Sequence, residues 1–199
     1  MKVIGLCGSS GAGKSTVGAL FSEFKFAHVD TDAVYHSLIS CATECTAELA
    51  ASFGSRILNE NGGVHRPALA EIVFADKDKL LTLNKIAHKH VLCEVRRIIS
   101  EIGEDSSIHG VIVDAPLLFE SGFDKECDAI IAVTADRKVK IERIMKRDNI
   151  TYSQAEKRLD NQASDEDIIS RATYVIINNN LDELRGAVKD IANKIINLK

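Results

Sequence analysis

No stretch of the 199-residue chain approaches the ~18 consecutive apolar residues that a membrane-spanning helix requires. The opening MKVIGLCGSS holds too short an apolar run for a secretory signal before a glycine-rich loop begins. A cytoplasmic location is therefore expected. Positive charge is also scarce: 25 Lys and Arg against 29 Asp and Glu leave a net charge of −4. That excludes an overall basic field drawing the protein onto nucleic acid or anionic lipid. The five cysteines (Cys7, Cys41, Cys45, Cys93, Cys127) include no CxxC pair. Cys41 and Cys45 share a face if helical, but zinc would need two more ligands at short spacing, and none is nearby. Free thiols in a reducing compartment are expected. Internal repeats and low-complexity tracts are missing too. What remains is an ordinary globular composition, 45% apolar and 27% charged, in a chain long enough for one sizeable domain or a core with an insertion.

Short apolar runs at residues 3–7, 111–113, 129–133 and 174–177, with a weaker one at 26–29, predict five buried strands. Helical periodicity follows the first at 14–24, the fourth from 136 to about 147, and the fifth at 181–198. Strands alternating with helices predict an α/β fold with a five-stranded parallel sheet. Residues 33–103 contain no convincing strand. They carry helical patterns split by the turn-rich NENGGVHRP at 59–67, and they predict a helical insertion subdomain. The expected organisation is one domain, with a core of residues 1–32 and 104–199, the insertion at 33–103 and a polar lid at 151–167.

Residues 8–15, GSSGAGKS, match GxxxxGK[ST] without a mismatch, after a strand and before an amphipathic helix. Gly8, Gly11 and Gly13 let the backbone curl so that successive N–H groups, including those around Ala12 and Thr16, converge on phosphate oxygens. The helix N-terminus adds partial positive charge. Lys14 is expected to reach the terminal phosphates of a nucleotide, and the Ser15 hydroxyl to ligate Mg²⁺.

Such a loop serves switches as well as kinases. A GTPase-type switch needs DxxG after the third strand, but Asp114-Ala115-Pro116-Leu117 has Leu in place of Gly. Asn84-Lys85-Ile86-Ala87 lacks the carboxylate of NKxD and falls within a helical run. A kinase needs a carboxylate at its acceptor and cations around the transferring group. Asp30 and Asp32 close the second strand. If that strand continues they point the same way, although Thr31 or Asp32 could equally cap the helix that follows. Lys140, Arg143 and Arg147 make one stripe of a helix, with Arg137 just before and Arg158 in the polar stretch beyond. A solvated face is one reading of that stripe; charge stabilisation in the site is the other. Asp114 ends the third strand, where a carboxylate can reach Mg²⁺ through water or serve a turn. Asn178, at the end of the fifth strand, can present an amide near adenine or begin a turn.

In order along the chain these segments resemble the dephospho-CoA kinase family. The resemblance rests on VDTD (29–32), RPALAEIVFAD (66–76), LNKIAH (83–88), DAPLLFE (114–120), RIMKRD (143–148) and YVIIN (174–178). It implies a P-loop kinase fold, ATP and Mg²⁺ as cofactors, and transfer of phosphate to the ribose 3′-hydroxyl of dephospho-CoA. It also implies Asp32 as base, Lys14 and Arg143 as charge stabilisers, Arg147 and Asn178 on the nucleotide side, the insertion as acceptor-binding subdomain and residues 151–167 as a lid over ATP. A monomer is expected. Other small-metabolite kinases of this fold, acting on nucleosides, nucleoside monophosphates or shikimate, are the alternative. The chain departs from the family pattern at Lys89, where a proline is usual, and at Ile177 and Asn180, where Asp and Gly are usual.

Overall fold

The apolar run after Met1 forms β1 (Lys2–Cys7), whose last four residues are buried. The phosphate-loop sequence follows and leads into α1 (Lys14–Phe21). The helical pattern predicted to 24 breaks earlier, because residues 22–24 tighten into a 3-10 turn and Lys25 takes a left-handed conformation with φ 59°. Then come β2 (Phe26–Asp30), α2 (Thr31–Ile39), α3 (Glu44–Phe53), α4 (Arg66–Phe74) and α5 (Lys77–Ile102). The chain continues as β3 (Gly110–Asp114), β4 (Ala129–Thr134), α6 (Arg137–Asp148), α7 (Tyr152–Asp160), α8 (Asp165–Ser170), β5 (Tyr174–Ile177) and α9 (Leu181–Ile196). The structure is a computed structural model and describes residues 1–198.

All five predicted strands lie in one sheet of order β2-β3-β1-β4-β5. β1 runs parallel to β3 from Lys2↔Gly110 to Leu6↔Asp114 and parallel to β4 from Ile4↔Ala129 to Cys7↔Ala132. β4 and β5 pair from Ile131↔Tyr174 to Thr134↔Ile177. The carboxyl ends of β1, β3 and β4 therefore finish side by side, which is where ligands gather in sheets of this type. One face buries Ile4, Leu6, Ile112, Ile131 and Val133 against Val17, Leu20 and Phe21 of α1 and Leu184, Val188 and Ile195 of α9. On the other face Leu118, within DAPLLFE, is fully buried. It packs so closely on Gly5 that a Cβ there would lie 2.8 Å from it. DAPLLFE thus covers the sheet with apolar side chains, and burying Leu118 alone is worth about 1.5–3 kcal/mol.

Two compact units result: Met1–Val29 with the chain from Ile102 onward, and Asp30–Glu101. The second unit has its own core of Ile39, Leu49, Ile57, Leu69, Ile72, Val73 and Ile86. Its elements begin on readable signals, with a reciprocal cap between Thr43 and Thr46 at α3 and Pro67 in the first turn of α4. The turn at 59–65 is closed by a bridge between Leu58 and Val64. Helix α5 runs its full 26 residues without interruption through Lys89. A lysine keeps the backbone N–H that proline lacks, and its ammonium pairs with Glu48 of α3 at 2.7 Å, as does His90.

Candidate active site

The glycines of GSSGAGKS adopt the backbone that the motif demands. Gly13 caps α1 with φ 90° and no side-chain hydrogen bond to the helix start. The N–H groups of Lys14 and Ser15 are left for a ligand, since the first donors of a helix have no partner one turn back. The N–H groups of Thr16 and Val17 turn back to the Gly13 carbonyl at 3.1 and 3.2 Å. Lys14 folds over the loop, its ammonium donating to the Gly8 carbonyl at 3.0 Å. Ser15 and Thr16 are exposed in the first turn, while Ala12 is buried in the core. The result is a curled loop that places one cation at an open helix N-terminus, a cradle for an anion.

Later segments grip this loop from outside. Asn178, only 4% exposed, donates from Nδ2 to the Ala12 carbonyl at 2.8 Å. Its Oδ1 accepts from Arg143 Nη2 at 3.5 Å. Arg143 also donates from Nη1 to the carbonyls of Gly11 and Ala12 at 3.3 and 3.5 Å. Arg147 reaches the Ser10 hydroxyl at 3.1 Å and is held by Asp148. Lys140 is buried and donates to the Ser9 hydroxyl at 3.2 Å. All three cations of the α6 stripe thus meet the loop: Lys140 is buried against it, Arg143 is half-buried, and Arg147 touches it while staying exposed to solvent. Arg137 and Arg158 instead tie α6 to α7: Arg137 pairs with Asp160 at 2.7 Å, and Arg158 pairs with Asp148.

Asp114 closes β3 beside Leu6 of β1 and is 6% exposed. Its carboxylate and the Ser15 hydroxyl are hard oxygen donors and few in number. That suits Mg²⁺, which keeps several waters and takes phosphate oxygens as further ligands. Among the described residues, no group of three or more His, Cys, Asp or Glu could hold a metal on its own.

The second strand does not continue past Asp30, so Asp30 and Asp32 do not share a strand face. Asp30 is the N-cap of α2, its carboxylate accepting from the backbone N–H groups of Asp32 and Ala33. Asp32 is exposed in the first helical turn. Neither Thr31 nor Asp32 is the cap. The Asp165 carboxylate, which the sequence pattern did not single out, lies among Ser9, Thr134 and Lys140. Arg171 was likewise not foreseen; its guanidinium stacks 3.6 Å above the Phe119 ring. No motif announces either contact, because each joins residues tens of positions apart.

A phosphate cradle at the carboxyl ends of a parallel sheet, gripped by cations from the following helix, defines a P-loop kinase. The dephospho-CoA kinase family model matches residues 2–183, and the chain belongs to that family. A dephospho-CoA kinase from Fusobacterium nucleatum is 41% identical over 183 residues, covering 92% of this chain and 92% of the relative. Among solved structures, one from Thermus thermophilus superposes with a TM-score of 0.80 at 27% identity, covering 97% of this chain and 96% of the other. A dephospho-CoA kinase from Campylobacter jejuni shares the fold with a TM-score of 0.69 at 24% identity and the same coverage. No helix among the described residues is long and apolar enough to cross a membrane.

Proposed function

We propose that the protein transfers the terminal phosphoryl group of ATP to the ribose 3′-hydroxyl of dephospho-CoA, completing coenzyme A. The observation that carries the donor half is the α1 N-terminus, whose cap at Gly13 uses no side chain and leaves the helix start open to phosphate. Family membership carries the acceptor half.

In this reading the loop from Gly8 to Thr16 holds the triphosphate, with Lys14 and Arg143 facing the charge that develops on the transferring group. Arg147 and Asn178 support the nucleotide side. Magnesium would be held by Ser15 and, through water, by Asp114, and it supplies charge neutralisation between the phosphates. Asp32 takes the proton of the attacking hydroxyl. The unit Asp30–Glu101 binds the acceptor, residues 151–167 cover ATP, and the enzyme works as a cytoplasmic monomer.

The test is a panel of acceptors assayed for ATP turnover. Turnover is expected with dephospho-CoA and not with CMP, UMP, uridine or shikimate. Comparable turnover with any of these would replace the acceptor assignment.

A further inference from the structure

The first half of the phosphate loop is held by a group outside the catalytic set. Asp165, the first residue of α8, presents its carboxylate to three separate elements. Oδ2 accepts from Lys140 Nζ of α6 at 2.5 Å and from Thr134 Oγ1 at the end of β4 at 2.5 Å. Oδ1 accepts from the Ser9 hydroxyl of the loop at 2.9 Å. Lys140 itself donates to the same hydroxyl at 3.2 Å, so Ser9 is bonded to both members of the ion pair. Three residues before Asp165, the Gln162 side-chain oxygen accepts from the Ser10 N–H at 2.8 Å. Next along the loop, a Cβ on Gly11 would come within 2.6 Å of the Lys140 carbonyl. Residues 9, 10 and 11 are thus each fixed by the same small neighbourhood.

Lys140 and Ser9 are both 6% exposed. A cation buried to that extent needs its counter-charge, and removing one partner of such a pair costs far more than the pair itself contributes. Burial by itself would raise the Asp165 carboxyl, but the hydrogen bonds from Lys140, Thr134 and Ser9 hold it below the usual carboxylate range. It is ionised at neutral pH and balances the lysine. A glycine-rich loop is flexible on its own, and ordering it only when ligand arrives lowers affinity.

We propose that Asp165 is a positioning residue for the nucleotide. Acting through Lys140 and Ser9, it holds the first half of the phosphate loop in its ligand-ready form. The inference rests on the nucleotide-binding reading of that loop.

The experiment uses the full chain and measures ATP affinity by calorimetry and the KM values for ATP and acceptor by steady-state assay. Asp165→Asn is expected to weaken ATP binding and raise the ATP KM by about 10-fold or more, with the acceptor KM shifted less than about 2-fold. Lys140→Met is expected to weaken ATP as well. The double variant should be no worse than Asp165→Asn alone, because the buried charge that lost its partner is gone. If folded Asp165→Asn binds ATP as the wild type does, or if the two losses simply multiply, the inference is overturned. Should Asp165→Asn fail to fold, Ser9→Ala decides, since it removes only the hydroxyl that links the ion pair to the loop. About 3-fold weaker ATP binding or more is then expected, and unchanged binding overturns the proposal. A wild-type protein that bound no ATP would instead overturn the nucleotide reading itself.

Discussion

The carboxylate of Asp30 accepts a hydrogen bond from the backbone N–H of Asp32 at 2.9 Å and one from Ala33 at 3.1 Å. Two acidic residues that look equivalent in VDTD therefore have different duties. Asp30 satisfies the start of α2, and Asp32, two positions on, does not. Asp30→Ala is expected to cost about 1 kcal/mol of stability, as the loss of an N-cap usually does. Asp32→Asn should leave stability nearly unchanged and cut kcat by roughly 10²–10⁴ with ATP affinity retained, as expected for loss of a general base. Denaturant unfolding and steady-state kinetics on both variants separate the two roles. A wild-type kcat in Asp32→Asn would remove it from the chemistry.

The strands and the phosphate loop were legible because their signals are local. An apolar run ended by glycine or aspartate, as at 3–7 and 111–114, reads as a buried parallel strand whatever lies elsewhere. The polar stretch 151–167 carries no clear helical period, yet it holds α7 and the first turn of α8. Their starts are encoded locally too, by Thr151 with Gln154 and by Ser164 capping the N–H of Asp167. The burial of Lys140 was not legible. Helical periodicity places it on the polar stripe of α6, and its counter-charge, Asp165, comes 25 residues later from a different helix. Lys89 misleads in another way. A family motif expects a proline there, but the helix closes through the lysine and rests on Glu48.

Gly13 is fixed by two constraints at once. Its φ of 90° disfavours any side chain, and a Cβ would fall 2.2 Å from Asn178 Nδ2. Gly13→Ala should therefore abolish measurable ATP binding and lower the melting temperature. Asn178→Ala takes the 2.8 Å donor from the Ala12 carbonyl and leaves it the longer 3.5 Å bond from Arg143, a loss of about 1 kcal/mol. In Gly13→Ala/Asn178→Ala the collision is gone but the backbone strain stays. The double variant should recover part of the stability lost by Gly13→Ala and little of the binding. Additive losses in thermal unfolding would show that the two residues do not collide.

The cysteines should divide two against three in a thiol titration. Cys41 and Cys93 are exposed. Burial pushes the Cys7 thiol up to about 12, with Lys14 opposing that shift. Burial, reinforced by Asp124 and Glu126, also takes Cys127 to about 12, and burial with Glu48 takes Cys45 to about 11. At pH 8 a thiol of pKa 12 is about one part in 10⁴ thiolate, and thiolate is the reactive form. Two equivalents of an aromatic disulfide reagent should react rapidly with the folded protein, and three more only on unfolding. A third fast equivalent would mean that one of these pockets opens readily.

The Asp165–Lys140 pair also sets a sign for the response to acid. Asp165 is held below its ordinary value in the folded protein, its hydrogen bonds to Lys140, Thr134 and Ser9 outweighing the opposing effect of burial. Its ionised form is thus favoured more by the native state than by the unfolded chain. The stabilisation is fully present above the ordinary carboxylate pKa of about 4 and is lost as pH falls through the lower folded value. At neutral pH the wild type should be more stable than Asp165→Asn, and the gap should hold from pH 7 to about 5. Below about 4 it should narrow, because the wild-type carboxylate takes up a proton and comes to resemble the amide. Urea unfolding of both proteins at pH 7, 5 and 3 measures that gap directly. A gap that stays constant across the range would mean that the charge of Asp165 is not what binds Lys140 to the loop, leaving its shape and hydrogen bonds alone to account for the contact.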